Sequence, residues 1–164
     1  MRTMRTVHWL FVVSVALFVS GIGFVIAAGR TTQSGVPDDE APPMVPVASI
    51  KQIMSGITGP AATVLYNAVG TIINTEGVKE IAPQTDEEWA VVGNSVAALV
   101  ESGNLMMMQG RAVDNGDWIK MSQAMIDAGV TALKAVEAKS TEAVLMAGEA
   151  VNASCDTCHE RYQR

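Results

Sequence analysis

Aromatic side chains are scarce in this chain of 164 residues, 5% of a composition that is 49% hydrophobic. Ala, Val, Met and Gly make up the difference, a mixture that disfavours a sheet-rich fold and suits closely packed helices. No internal repeat or run of alternating residues competes with that reading, so the expected class is all-α, in one folded unit. Basic residues are also few, 11 Lys plus Arg against 17 Asp plus Glu. Arg2, Arg5 and Arg30 flank an N-terminal apolar run, so from Thr31 onward the count is 8 against 17, a balance of −9. An acidic surface repels phosphate backbones, which argues against nucleic-acid binding and makes a basic protein partner the easier expectation. Histidine occurs only as His8 and His159, and cysteine only as Cys155 and Cys158.

Long apolar runs are likewise absent except at the start. From Trp9 to Gly29 there is no charged residue, and Arg2 and Arg5 precede this stretch. It exceeds the roughly 7 to 15 residues of a cleaved signal core and approaches the roughly 20 needed to span a bilayer. Residues 1–30 are therefore expected to be an export signal retained as a membrane anchor, with Ala27, Ala28 and Gly29 offering a cleavage site as the alternative. Basic residues before the span favour a cytoplasmic N-terminus, so the remainder is exported in both cases. Residues 31–46 carry Pro37, Pro42, Pro43 and Pro46 among Asp38, Asp39 and Glu40, too polar and proline-rich to pack, and read as a tether.

Residues 47–164 show four stretches of helical periodicity. The first is expected from about Val47 to Ile73, with a kink near Gly59 forced by Gly56, Gly59 and Pro60. The second starts at Thr85, where Glu88 completes a capping box, and runs to about Met108. The third spans about Asp117 to Ala138, with Ile119, Met121, Met125, Ile126, Val130, Leu133 and Val136 at spacings of three and four. The fourth runs from near Ser140 to Tyr162. Because Ala138, Lys139 and Ser140 form a tight joint, the last two helices should be antiparallel neighbours, and an up-and-down four-helix bundle is the simplest architecture.

Near the end of the fourth helix lies Cys155-Asp156-Thr157-Cys158-His159, the Cys-x-x-Cys-His pattern of covalent haem attachment. On a helix these three residues fall at i, i+3 and i+4 and share one face. Two thiols can then add to the vinyl groups on one porphyrin edge while the adjacent imidazole reaches the iron. A structural zinc site takes four protein ligands, and only three are present. A thioredoxin-like dithiol normally begins a helix that follows a strand, whereas this motif ends one.

A four-helix unit with Cys155-x-x-Cys158-His159 near its C-terminus, and Tyr162 three residues beyond, resembles the class II cytochromes c, the cytochromes c′ and their low-spin relatives. The resemblance covers roughly Val47 to Arg164. Segments such as Ser49 to Gly70 and Gln84 to Trp89 are similar to a membrane-anchored or periplasmic branch of that family. It implies one haem c, with Cys155 and Cys158 as attachment points and His159 as proximal iron ligand. It also implies that a first-helix methionine can bind opposite the histidine, for which Met54 is the candidate, with Met44 in the tether a distant second. Homodimers through the first two helices are a further implication. Many members carry Arg or Lys four residues after the histidine, where this chain has Gln163 between Arg161 and Arg164.

Among the remaining residues, Lys51 is either a propionate partner or a solvated lysine. Some of Tyr66, Trp89, Trp118 and Tyr162 should flank a porphyrin, and Met106, Met107 and Met108 read as packing. The leading functional expectation is an electron carrier, not an enzyme, in the bacterial periplasm or at the outer face of the inner membrane, serving a redox protein partner. Two alternatives stand beside it: a five-coordinate binder of nitric oxide or carbon monoxide, and an exported thiol oxidoreductase without haem.

Overall fold

A computed structural model describes Trp9, Ser14, Val15 and residues 43–163. The chain divides into two units, Met1–Pro43 and Met44–Arg164. Apart from Trp9, Ser14 and Val15, the expected membrane span lies outside the described residues, as does most of the tether. No helix among the described residues is long and apolar enough to cross a membrane.

The second unit is mostly helical, as expected. Helix α1 covers residues 50–68 in three pieces: Ile50–Ile53, a π-helical turn Met54–Thr58, and Gly59–Ala68. Ser49 starts it with a capping box to Gln52. Pro60 has no N–H to donate and its ring crowds the carbonyl four residues back, so a regular α-turn there is disfavoured. The expected kink near Gly59 takes the form of a widened turn just before it, in which the Gly59 N–H reaches the Met54 carbonyl. A Cβ at position 59 would lie 3.0 Å from that same oxygen, so glycine suits the turn.

Helix α1 stops at Ala68, short of the expected Ile73. Val69 is extended, with φ −138° and ψ 150°, and the following residues form a hairpin of β1 (Gly70–Asn74) and β2 (Gly77–Ile81). This corrects the reading of a chain without strands. The β-branched run Thr71, Ile72 and Ile73 favours extended backbone. Asn74 Oδ1 accepts from the Glu76 N–H, and Gly77 takes the positive φ of +132° that closes the turn.

Helix α2 (Asp86–Met107) begins with the expected capping box, in which Thr85 and Glu88 satisfy each other's backbone N–H groups. Helix α3 (Asp117–Glu137) and helix α4 (Thr141–Tyr162) meet at the expected joint. There the Ser140 N–H reaches the Ala135 carbonyl and the Lys139 N–H reaches that of Val136, a Schellman arrangement with Lys139 at φ +50°. Ser140 then caps α4 by accepting from the Ala143 N–H. Arg111, between α2 and α3, donates to the carbonyls of Leu105 and Ala48, tying the end of α2 to the segment ahead of α1.

Leu65, Val96, Leu99, Ala132, Val144 and Val151 form the centre of the core, each at most 1% exposed. Helix α1 packs on α2, α2 on α3 and α3 on α4, while α1 meets α4 over a smaller contact. Small residues bring α2 and α3 close: a Cβ on Gly103 would lie 2.5 Å from Ile126 Cγ1, and one on Gly129 2.7 Å from Val100 Cγ2.

Candidate functional site

The sparse contact between α1 and α4 coincides with two cavities. The larger, about 400 Å³, runs along Leu65 and Tyr66 of α1, the following Val69, and Val144, Gly148, Asn152 and Asp156 of α4, and its lining includes neither cysteine nor histidine. The chemistry lies in the smaller one, about 330 Å³, which Cys155, Cys158 and His159 line together from the last turns of α4. Helical spacing puts these three on one face, and all three are half-buried.

From α1 the same cavity receives Met54, Thr58, Gly59, Ala62, Thr63 and Tyr66. Thus Met54, the candidate sixth ligand, is brought to the wall shared with His159, at the first position of the π-turn. Helix α2 adds Met106, and α3 adds Met121, Ser122 and Met125. The structure does not bring Met44, Lys51, Met107, Met108, Trp89, Trp118 or Tyr162 into the lining. Met44 is 77% exposed, and Lys51 faces solvent.

Sequence reasoning missed the polar members of this wall. Thr58 is buried and donates to Ser102 Oγ at 3.0 Å, and Ser102 in turn donates to the Leu99 carbonyl. Ser122 is 2% exposed and makes no side-chain hydrogen bond among the described residues. No buried side-chain polar atom among those residues is sealed away without a partner, so the Ser122 hydroxyl opens into the cavity. Serines amid an apolar heptad pattern were the available signal.

Burial pushes both thiols up: desolvation is the main cause for Cys155, partly offset by Tyr66 and Ser154, and it is joined by the charge of Cys155 for Cys158. Tyr66 neighbours Cys155, and its phenol is raised by burial first and by that thiol second. The cysteines are not disulfide-bonded. Among the described residues no three His, Cys, Asp or Glu side chains converge tightly enough to hold a bare metal ion.

The far end of α4 is anchored to the start of α3. The Tyr162 hydroxyl donates to Asp114 Oδ2 at 2.5 Å, and its ring meets Trp118 edge-on with centroids 5.1 Å apart. Trp118 Nε1 donates to the Met106 carbonyl at 3.0 Å. Asp114 Oδ1 accepts from the N–H groups of Gly116 and Trp118, capping α3 from outside. Arg161 pairs with Asp117 and lies 5.6 Å from the Tyr162 ring centre. Gln163, where a basic residue is common in the resembled family, is exposed and donates its backbone N–H to the His159 carbonyl.

The residues present fit a haem gripped at its edge. Two thiols and an imidazole share one helical face, and the opposing wall is mostly thioether and methyl. Comparison with family models, curated proteins and solved structures returns no match for this chain.

Proposed function

We propose that this chain is a c-type cytochrome with one covalently attached haem, serving as a one-electron carrier in the periplasm or at the outer face of a bacterial inner membrane. The reading includes an up-and-down four-helix bundle behind an N-terminal anchor or signal. One observation carries it: Cys155, Cys158 and His159 face a single apolar cavity that Met54 lines from another helix. Haem held there supplies a reversible one-electron couple.

Cys155 and Cys158 would hold the group through thioether links to its two vinyl substituents, and His159 would bind its iron through the imidazole. Met54, on α1, would offer a thioether sulfur as a further iron ligand, and a haem held by both would carry one electron reversibly. Met106, Met121 and Met125 exclude water and lower the local polarity, which tunes potential. The anchoring of Tyr162 and Arg161 fixes the turn that carries His159. Exposed Glu149, Asp156 and Glu160 beside the motif suit a basic redox partner.

The dithiol alternative is disfavoured by the same geometry. A reactive Cys-x-x-Cys needs a depressed thiol pKa, usually at a helix N-terminus, whereas these thiols sit in the last turns of α4 and are shifted upward by burial.

The test is mass spectrometry of the peptide spanning Cys155 to His159 after expression with haem-attachment machinery, together with absorption spectra of oxidised, reduced and carbon-monoxide-treated reduced protein. Added haem mass and no rapid carbon monoxide binding are expected. An unmodified peptide overturns the haem reading, and rapid binding reassigns the protein as a five-coordinate gas binder.

A further inference from the structure

An isolated two-stranded hairpin is marginally stable in water and normally needs a third strand or a packed helix. Among the described residues the β1–β2 hairpin has no third strand, and no helix covers it. Every residue from Thr71 to Ile81 is exposed, and Ile73 and Val78, paired directly across the ladder, are 77% and 70% exposed.

The two free edges differ in chemistry. Proteins blunt exposed edges with charge, proline or bulges to prevent pairing with other strands. Strand β2 carries Lys79 and Glu80, whereas β1, Gly70-Thr71-Ile72-Ile73-Asn74, carries no charge and no proline. The unprotected edge is therefore the one whose three central residues are all β-branched.

We propose that the free edge of β1 pairs with β1 of a second copy of this chain, making a four-stranded antiparallel sheet across a two-fold axis. A two-fold normal to the sheet keeps each residue on the same face in both copies, so pairing must match positions of equal parity. Centring on Ile72 satisfies this over the whole strand. Ile72 then faces Ile72, and Thr71 faces Ile73, so every cross-strand contact is β-branched and uncharged between positions 71 and 73. The corresponding overlap of β2 sets Lys79 against Lys79, and the neighbouring allowed registers either set Glu80 against Glu80 or centre on Val78, each with an overlap of only three residues. Full-length self-association through β2 is thus opposed by charge, and that through β1 is not. The four-stranded product also passes the three-strand threshold that the lone hairpin fails to reach. Five residues a side bury less than the roughly 1,200 Å² of a stable interface, so the pairing is reversible and concentration-dependent. It requires no particular ligand on iron.

Sedimentation velocity of the full haem-loaded chain in detergent, over a series reaching high-micromolar concentration, tests this. A monomer–dimer equilibrium is expected. Ile72→Glu places like charges opposite each other across the two-fold while leaving the hairpin supported, because residue 72 stands opposite Lys79 of its own β2, and should raise the dissociation constant by at least about tenfold. Ile72→Val should keep the dimer, and Val78→Glu, at a still more exposed position but on β2, should change the constant by less than about threefold. Unaltered haem spectra in all three variants establish that the helical core is intact. A chain that stays monomeric throughout, or a dimer weakened equally by Ile72→Glu and Val78→Glu, overturns the proposal.

Discussion

Two glycines of α2 should respond with opposite sign to the same substitution. Replacing a helix-interior glycine by alanine gains about 0.5 to 1 kcal/mol from reduced backbone entropy in the unfolded chain. At Gly93 that gain is retained, because the new Cβ meets Val136 Cγ1 at 3.6 Å, an ordinary contact. At Gly103 the Cβ falls 2.5 Å from Ile126 Cγ1, 3.0 Å from its Cδ1 and 3.2 Å from Met125 Cε. Carbons prefer separations of about 3.5 to 4.0 Å, so roughly 1 Å must be found. Methionine can swing away, but a helical isoleucine has one strongly preferred χ1, so α2 and α3 must part. Overpacking of this kind costs about 1 to 3 kcal/mol, and the short distance places it in the upper half of that range, leaving a net loss of about 1 to 2 kcal/mol. Thermal unfolding of the haem-loaded protein should show Gly93→Ala a few degrees above the parent and Gly103→Ala several degrees below it, at roughly 3 to 6 °C per kcal/mol for a domain of this size. Adding Ile126→Ala to Gly103→Ala should recover at least about 1 kcal/mol relative to the sum of the single changes. Gly103→Ala at or above the parent, or strict additivity with Ile126→Ala, would refute the close approach of α2 and α3.

The other expectations concern the caps, the α3–α4 anchor and the iron. Thr85→Ala removes the side-chain acceptor for the Glu88 N–H and should cost about 1 kcal/mol, read from the urea midpoint. The Tyr162 hydroxyl, with help from the Gly116 amide, holds Asp114 below the usual carboxylate range, which favours its charged form in the fold. That contribution is present above the ordinary value of 3.8 and is lost as pH falls through the lowered one. The Asp114 hydrogen bond raises Tyr162, favouring its neutral phenol, a contribution present below pH 10.0 and lost as pH rises through the raised value. Tyr162→Phe should therefore weaken both the alkaline and the acid limb of a melting-temperature profile, the raised Tyr66 phenol keeping part of the alkaline one, and an unchanged profile would break the link. Met54→Ala should make the reduced haem bind carbon monoxide rapidly, while Met106→Ala should lower stability by about 2 to 5 kcal/mol as a buried truncation and leave the coordination spectrum in place.

Helices α2, α3 and α4 were legible because their information is local: a capping box at Thr85 and Glu88, threefold and fourfold spacing through α3, and a three-residue joint around Lys139. The hairpin was not, because Ile72 and Ile73 continue the apolar stripe of α1 and a short apolar run does not distinguish strand from helix by period alone. Composition held the answer. The β-branched residues at 71–73 oppose helix, and Asn74-Thr75-Glu76-Gly77 is a plausible turn once a second short strand is sought after it. Pro60 announced a disturbance in α1, but not its form. A widened π-turn and a bend both relieve the clash between the proline ring and the earlier carbonyl, and the local sequence does not distinguish them.

The same division between local and distant information runs through the cavity. Cys155, Cys158 and His159 can be read from five consecutive residues, since one helical turn brings all three to a common face whatever the rest of the chain does. The opposite wall depends on how three further helices are rotated about their axes, which no short window contains. Met54, Met106, Met121 and Met125 are chemically equivalent in the sequence, and only Met54 lies at the opening of a widened turn. Ser122 is the clearest case of hidden information. A lone serine on an amphipathic helix is ordinarily solvated or bonded to the preceding turn, yet this one is buried with its hydroxyl facing the cavity. No buried polar atom among the described residues is sealed away without a partner, so this hydroxyl is open to something polar that enters from the cavity side. A haem offers that through its propionates, and Ser122→Ala should then shift the reduction potential while leaving the mass of the Cys155–His159 peptide and the iron coordination unchanged. A potential that stays fixed would return Ser122 to the role of packing.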